Sequence, residues 1–156
     1  MPGDTLPSLN KSEHEMLQND LQLEEIAKAL KELPNDKTPG MDGFTANFYK
    51  FFWPDLKDLL FKSFQYSFQR GIISADQRRG VISSIPREGK DLRLLTSWRP
   101  VSILNTDYKI LTKTLANRLQ LVLPKLINPD QVGYVKNRYI GQNVRLMCYH
   151  MSILKV

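Results

Sequence analysis

Arg87, Lys90, Arg93 and Arg99 bring four cations into one short stretch of the chain, and a triphosphate needs that kind of surface. Arginine grips phosphate oxygens through a planar fork and lysine acts as a point charge, so the two types hold an anion differently. A second candidate is the loop Lys37-Thr38-Pro39-Gly40-Met41-Asp42-Gly43. Gly40 and Gly43 tolerate positive φ and close backbone approach, Lys37 supplies a cation and Asp42 can brace the turn, so the loop could lie against a phosphate chain. A third is Gln131-Val132-Gly133-Tyr134 with Arg138, which could stack on or hydrogen-bond a base or sugar. Each has a plainer reading beside it. Cations on edge strands also discourage aggregation, the glycine loop also serves as a tight helix-to-helix connection, and Tyr134 also fits a half-buried core position.

Other chemistry finds little support. Asp55 and Asp58 stand one helical turn apart and read as the wet face of an amphipathic helix. His14 and His150 have no second ligand near them in sequence, so no metal site is assigned, and no catalytic residue is assigned either. The single cysteine, Cys148, excludes an intramolecular disulfide and favours a reducing compartment. No P-loop, dinucleotide fingerprint or Ser-His-Asp arrangement is visible. The chain of 156 residues, 42% hydrophobic, can bury one ordinary core. Its 22 Lys and Arg against 16 Asp and Glu give a net charge of +6, which suits a polyanionic partner. Neither a signal peptide nor a membrane span is apparent, and the expected location is intracellular, in cytoplasm or nucleus.

These residues must be positioned by a small set of elements. Residues 1–20 are polar and irregular and read as a flexible arm, with the folded part from 21 onward. Leu23, Ile26, Ala27, Leu30 and Leu33 recur at helical spacing, with Leu21 and Ile26 placed for a hydrophobic staple about a cap at Gln22. Thr45 can cap a short helix reaching Trp53. Pro54 fits the first turn of a longer helix whose face holds Leu56, Leu59, Leu60, Ser63, Phe64 and Ser67 and which stops at Gly71. Val81 to Ile85 and Trp98 to Leu104 read as two strands forming a ribbon with a long tip. Asn105 can cap a helix from Thr106 to about Leu123, with Tyr108, Leu111, Leu115, Leu119 and Val122 inward and Pro124 bending or ending it. Gln131 to Val135 reads as short and extended. Ile140, Val144, Met147, Met151 and Leu154 mark a final helix.

Taken in order, several segments form a series. They are Leu23-Glu24-Glu25-Ile26, Lys37 to Phe44 with Phe48-Tyr49 and Phe52-Trp53, and Ile82-Ser83-Ser84-Ile85-Pro86-Arg87. Trp98-Arg99-Pro100-Val101-Ser102-Ile103-Leu104-Asn105 with Asp107-Tyr108-Lys109-Ile110 follows, then Leu115-Ala116-Asn117-Arg118-Leu119, then Gln131 to Tyr134 with Arg138 and Asn143. The series resembles the N-terminal part of the reverse transcriptase domain of non-LTR (LINE-type) retrotransposons, over roughly Leu9 to Met147.

The resemblance implies an α+β fold, the fingers and first part of the palm of a right-hand polymerase, mostly helical with a small antiparallel β-ribbon and incomplete as a domain. It implies that Lys37, Gly40, Asp42 and Gly43 lie against template, and that Arg87 and Arg99, with Lys90 on the same tip, hold the triphosphate of the incoming nucleotide. Gln131, Gly133, Tyr134 and Arg138 would lie by the nascent pair and template. Arg87 stands where the family usually has Lys, and Asn137 where it often has Gly; Asn tolerates positive φ better than most residues. Family members continue into aspartates that hold two magnesium ions for in-line phosphoryl transfer. Here the resemblance fades after Met147. The expected partners are therefore RNA or an RNA-DNA hybrid and a deoxynucleoside triphosphate, with no cofactor held by this chain and no polymerisation by it alone. Two alternatives stay open: a non-catalytic nucleic-acid-binding or protein-interaction module, and a remnant without function.

Overall fold

Glu25 accepts the backbone N–H of Gln22 at 3.0 Å, and Leu21 and Ile26 on either side of that cap are each 0% exposed. The staple expected from sequence thus starts the first large helix of the fold. In the computed structural model, which describes residues 7–128, 130–133 and 135–153, the elements run α1 (Lys11–Gln18), α2 (Leu23–Glu32), α3 (Ala46–Phe51), α4 (Trp53–Arg70), β1 (Gly80–Pro86), β2 (Trp98–Leu104), α5 (Thr106–Leu126) and α6 (Gly141–Ile153). The architecture is α+β, helices with a two-stranded antiparallel sheet. The chain divides into two units, residues 20–115 and residues 1–19 with 116–156.

In the unit of residues 20–115, the core joins Leu21, Ile26 and Leu30 to Tyr49, Leu60, Phe64 and Ile110. Thr45 Oγ1 accepts the Phe48 N–H at 3.3 Å and starts α3, while Pro54 sits in the first turn of α4 and Gly71, at φ 65°, ends it. Leu60, Phe64 and Ser67 are the buried stripe of α4; Leu59, expected on the same face, is 67% exposed. The ribbon pairs Gly80 with Leu104 through to Pro86 with Trp98, and the Arg87 N–H extends it by donating to Ser97 O at 2.8 Å.

In the other unit, the arm expected to be irregular contains α1. Asn10 Oδ1 accepts the Glu13 N–H at 2.8 Å and Glu13 accepts the Asn10 N–H at 3.0 Å, a capping box that the sequence spells as Asn10-Lys11-Ser12-Glu13. Lys125 of α5 pairs with Glu13, and Arg118 donates to Asn19 O at 2.5 Å. The inward face of α5, a helix whose residues up to Leu115 belong to the unit of residues 20–115, also differs from expectation. Ile110, Leu111, Thr114, Arg118 and Val122 are buried and Leu119 is exposed. Polar Thr114 and Arg118 can line that face because the Thr114 hydroxyl donates to Ile110 O at 2.9 Å and Arg118 reaches Asn19 O. No residue of α6 is buried, so the stripe of Val144, Met147 and Met151 faces outward; Leu154 lies outside the described residues. Among the described residues, no helix is long and apolar enough to cross a membrane.

Phe64→Ala is expected to cost about 3–5 kcal/mol in urea unfolding, whereas Leu59→Ala stays within about 0.5 kcal/mol. Equal effects would contradict the assigned face of α4.

Candidate nucleic-acid interface

The glycine loop is built around one buried side chain outside it. Asn105, 6% exposed, accepts the Met41 N–H at 2.9 Å through Oδ1 and donates through Nδ2 to Asp76 O at 2.9 Å. Sequence reasoning placed Asn105 as the cap of α5, but its amide is spent on the loop and on the segment before β1. Gly40 packs directly on it: a Cβ there would stand 2.5 Å from Asn105 Cα and 2.6 Å from its backbone nitrogen. The close approach that Gly40 permits is therefore to Asn105. Gly43, at φ 75°, closes the turn by donating to Gly40 O at 3.2 Å, and Asp42 braces it by accepting the Phe44 N–H at 3.1 Å. Thr106 Oγ1 donates to Phe44 O at 2.7 Å, fixing the far end of the loop. Lys37 and Lys109 line a cavity of about 170 Å³ beside it. The side left to solvent carries Lys37, Thr38, Met41, Asp42 and Gly43.

Asp107 and Tyr49 feel this packing. Burial raises the Asp107 carboxyl above its ordinary value, the Asp42 charge adds to the rise, and hydrogen bonds from Gln77 and the Tyr108 N–H partly offset it. The phenol of Tyr49 is pushed up by burial first, then by the charges of Asp107 and Asp42.

Arg87 and Arg99 share one face of the ribbon. The register sets Arg99 opposite Ile85 and Arg87 opposite Ser97, so the two arginines are diagonal neighbours, with side-chain origins roughly 7–8 Å apart. Lys90 lies in the tip turn, where its N–H donates to Arg87 O at 3.3 Å and Gly89 adopts φ 69°. All three are exposed, and none has a carboxylate partner among the described residues, while Arg93 pairs with Asp91 at 3.3 Å. Exposed Val81, Ile85 and Val101 occupy the same face as the two arginines. The loop and these cations are not adjacent. Asn105 follows the base of the ribbon, and Arg99, six residues before it, lies about 20 Å away along β2 at roughly 3.4 Å per residue.

In the other unit, Arg138 is occupied. Its Nη1 donates to Asn128 O at 2.5 Å and Gln131 O at 2.8 Å, and its Nη2 to Pro124 O at 2.8 Å and Ile127 O at 2.9 Å. A guanidinium gathering the carbonyls at and beyond a helix end acts as a structural clamp on the segment that follows α5. Gln131 and Gly133 are exposed on either side of buried Val132, Val135 is buried as well, and Asn137 adopts φ 66°. The Gln131 to Val135 segment, expected extended, carries a turn at Gly133, and Tyr134 lies outside the described residues.

No family model matches the chain. It is 41% identical, over 144 residues, to the transposon TX1 uncharacterized 149 kDa protein of Xenopus laevis, a match covering 92% of this chain and 11% of that protein. It is 26% identical, over 135 residues, to the probable RNA-directed DNA polymerase from transposon BS of Drosophila melanogaster, covering 84% of this chain and 15% of that protein. The chain thus spans only a small part of the length of these relatives.

Asn105→Ala leaves the Met41 N–H and Asp76 O without their partner, at an expected cost of about 2–4 kcal/mol in urea unfolding. A loss below about 0.5 kcal/mol would contradict its anchoring role. Because the folded chain holds the Asp107 proton more tightly than the unfolded chain, stability falls as pH rises from about 4, near the ordinary aspartate value, through the raised one. Asp107→Asn should therefore be more stable than the parent at pH 7, with the advantage shrinking toward pH 4; an advantage independent of pH would contradict this.

Proposed function

Starting from its relation to transposon-encoded proteins, we propose that the chain is the template- and nucleotide-gripping portion of an RNA-directed DNA polymerase of a non-LTR retrotransposon, comprising fingers and the first edge of the palm. The observation that carries this reading is the arrangement along one ribbon. A loop preformed on Asn105 stands at its base, and exposed Arg87, Arg99 and Lys90 stand toward its tip. Lys37, Gly40, Asp42 and Gly43 present the loop to an RNA template, which in an A-form hybrid is gripped through shape, backbone and 2′-hydroxyls. Arg87 and Arg99 fork onto phosphate oxygens of the incoming nucleotide, and Lys90 adds a point charge. Gln131, Gly133 and Tyr134 lie by the nascent pair, with Arg138 positioning their segment through the carbonyls it clamps.

Polymerases of this family work with magnesium held by aspartates. Among the described residues, no three or more His, Cys, Asp or Glu side chains come together as a metal site, and the proposed role rests on the loop and the ribbon. The neighbouring carboxylates Asp42 and Asp107 each accept a backbone N–H instead. No phosphoryl-transfer step is assigned to these residues; their role is to bind.

Arg99→Ala should weaken binding to an RNA-DNA hybrid several-fold in fluorescence anisotropy and make the slope of log affinity against log salt shallower by about 0.9, with circular dichroism unchanged. Loss of fold together with binding would make Arg99 structural and contradict the assignment. The 156-residue chain alone is expected not to extend a primer with magnesium present, and extension would overturn the binding-only role.

A further inference from the structure

A hollow of about 380 Å³ is lined by Ala27, Leu30 and Lys31 of α2, Lys50 of α3 and Trp53 at the start of α4. Its volume falls at the lower end of small-ligand sites, about 300–1,000 Å³. The floor is apolar, with Leu30 3% exposed, and the half-buried indole of Trp53 forms a wall. Lys50 Nζ donates to Leu33 O at 2.6 Å and Asn35 Oδ1 at 2.7 Å, which fixes one positive charge at the rim. Lys31 is exposed and has no carboxylate partner among the described residues. An aromatic wall, an apolar floor and two ammonium groups together suit a flat ring that carries an anion. A peptide helix, roughly 10–12 Å across, is too wide for such a volume, and an uncharged apolar ligand would leave both ammonium groups without a counter-charge.

We propose that this hollow receives one unstacked base of single-stranded RNA, lying on Trp53 with its phosphate beside Lys31 and Lys50. The proposal rests on the nucleic-acid-binding reading above and adds to it a base-holding site separate from the loop and the ribbon. Aromatic side chains beside cations are how proteins hold single strands without reading sequence, because every base has a π face. A chain with a net charge of +6 favours such a partner.

The test uses the full chain with Trp98→Phe, which leaves Trp53 as the sole indole of the two present. An oligouridylate of about eight nucleotides, within the usual site sizes for single strands, should quench Trp53 emission saturably. Lys31→Glu should weaken that binding about tenfold and make its salt slope shallower by about 0.7, while Lys31→Arg preserves it. Circular dichroism should be unchanged in both. If labelled RNA binds by anisotropy while Trp53 emission does not respond, or responds equally in Lys31→Glu, the hollow is not the site and the loop-and-ribbon reading stands. If the folded chain binds an RNA-DNA hybrid but not the oligouridylate, this proposal alone falls; if it binds neither, the loop-and-ribbon reading falls and this proposal with it.

Discussion

A buried asparagine amide holds the glycine loop where the rest of the candidate interface needs it. Asn105 sits between β2 and α5 and bonds at once to Met41 of the loop and Asp76 of the segment leading to β1. Three stretches distant in sequence thus meet on one side chain, and each bond satisfies a backbone group that would otherwise be costly to leave unpaired. The constraint also dictates sequence around it. Position 40 must lack a Cβ because the Asn105 backbone lies against it, and position 43 must tolerate a left-handed φ for the loop to turn back toward Phe44. Such a loop is ordered before any ligand arrives, so binding need not spend free energy on ordering it.

Charge is distributed in a complementary way. The loop spends most of its polar groups internally, with Asp42 bracing the turn and Met41 bonded to Asn105, while the ribbon leaves Arg87, Lys90 and Arg99 exposed. Affinity for a polyanion would then come mainly from the ribbon and depend on salt, and the loop would contribute shape. The packing also has a cost at Asp107, whose carboxyl is held partly away from water and near the charge of Asp42, so that it holds its proton more tightly than usual.

Much of the scaffold was legible in the sequence because its ends are marked by local chemistry. Thr45, Pro54 and Gly71 act through their own backbone neighbours, and the β-branched runs on either side of the ribbon tip declare themselves without tertiary help. What escaped reading depends on distant partners. Asn105 looks like a helix cap locally, and only the folded chain brings Met41 to it. Arg118 and Thr114 break the apolar pattern of α5, yet they are buried because carbonyls at Asn19 and Ile110 accept from them. The bonds of Arg138 to four carbonyls also depend on where α5 ends, which no local pattern marks. α1 was the avoidable miss, since its capping box stands in the sequence as Asn10 and Glu13, hidden by the polar character of the surrounding arm.

The most direct measurement is amide hydrogen exchange, resolved by residue, on the free chain and with an RNA-DNA hybrid added. The account predicts that the Met41 amide is already protected in the free chain, and that the hybrid adds protection to the exposed loop around Lys37 to Gly43 and to the ribbon around Arg87 and Arg99. A Met41 amide that exchanges freely until the hybrid is present, or a hybrid that leaves both loop and ribbon unchanged, would contradict it.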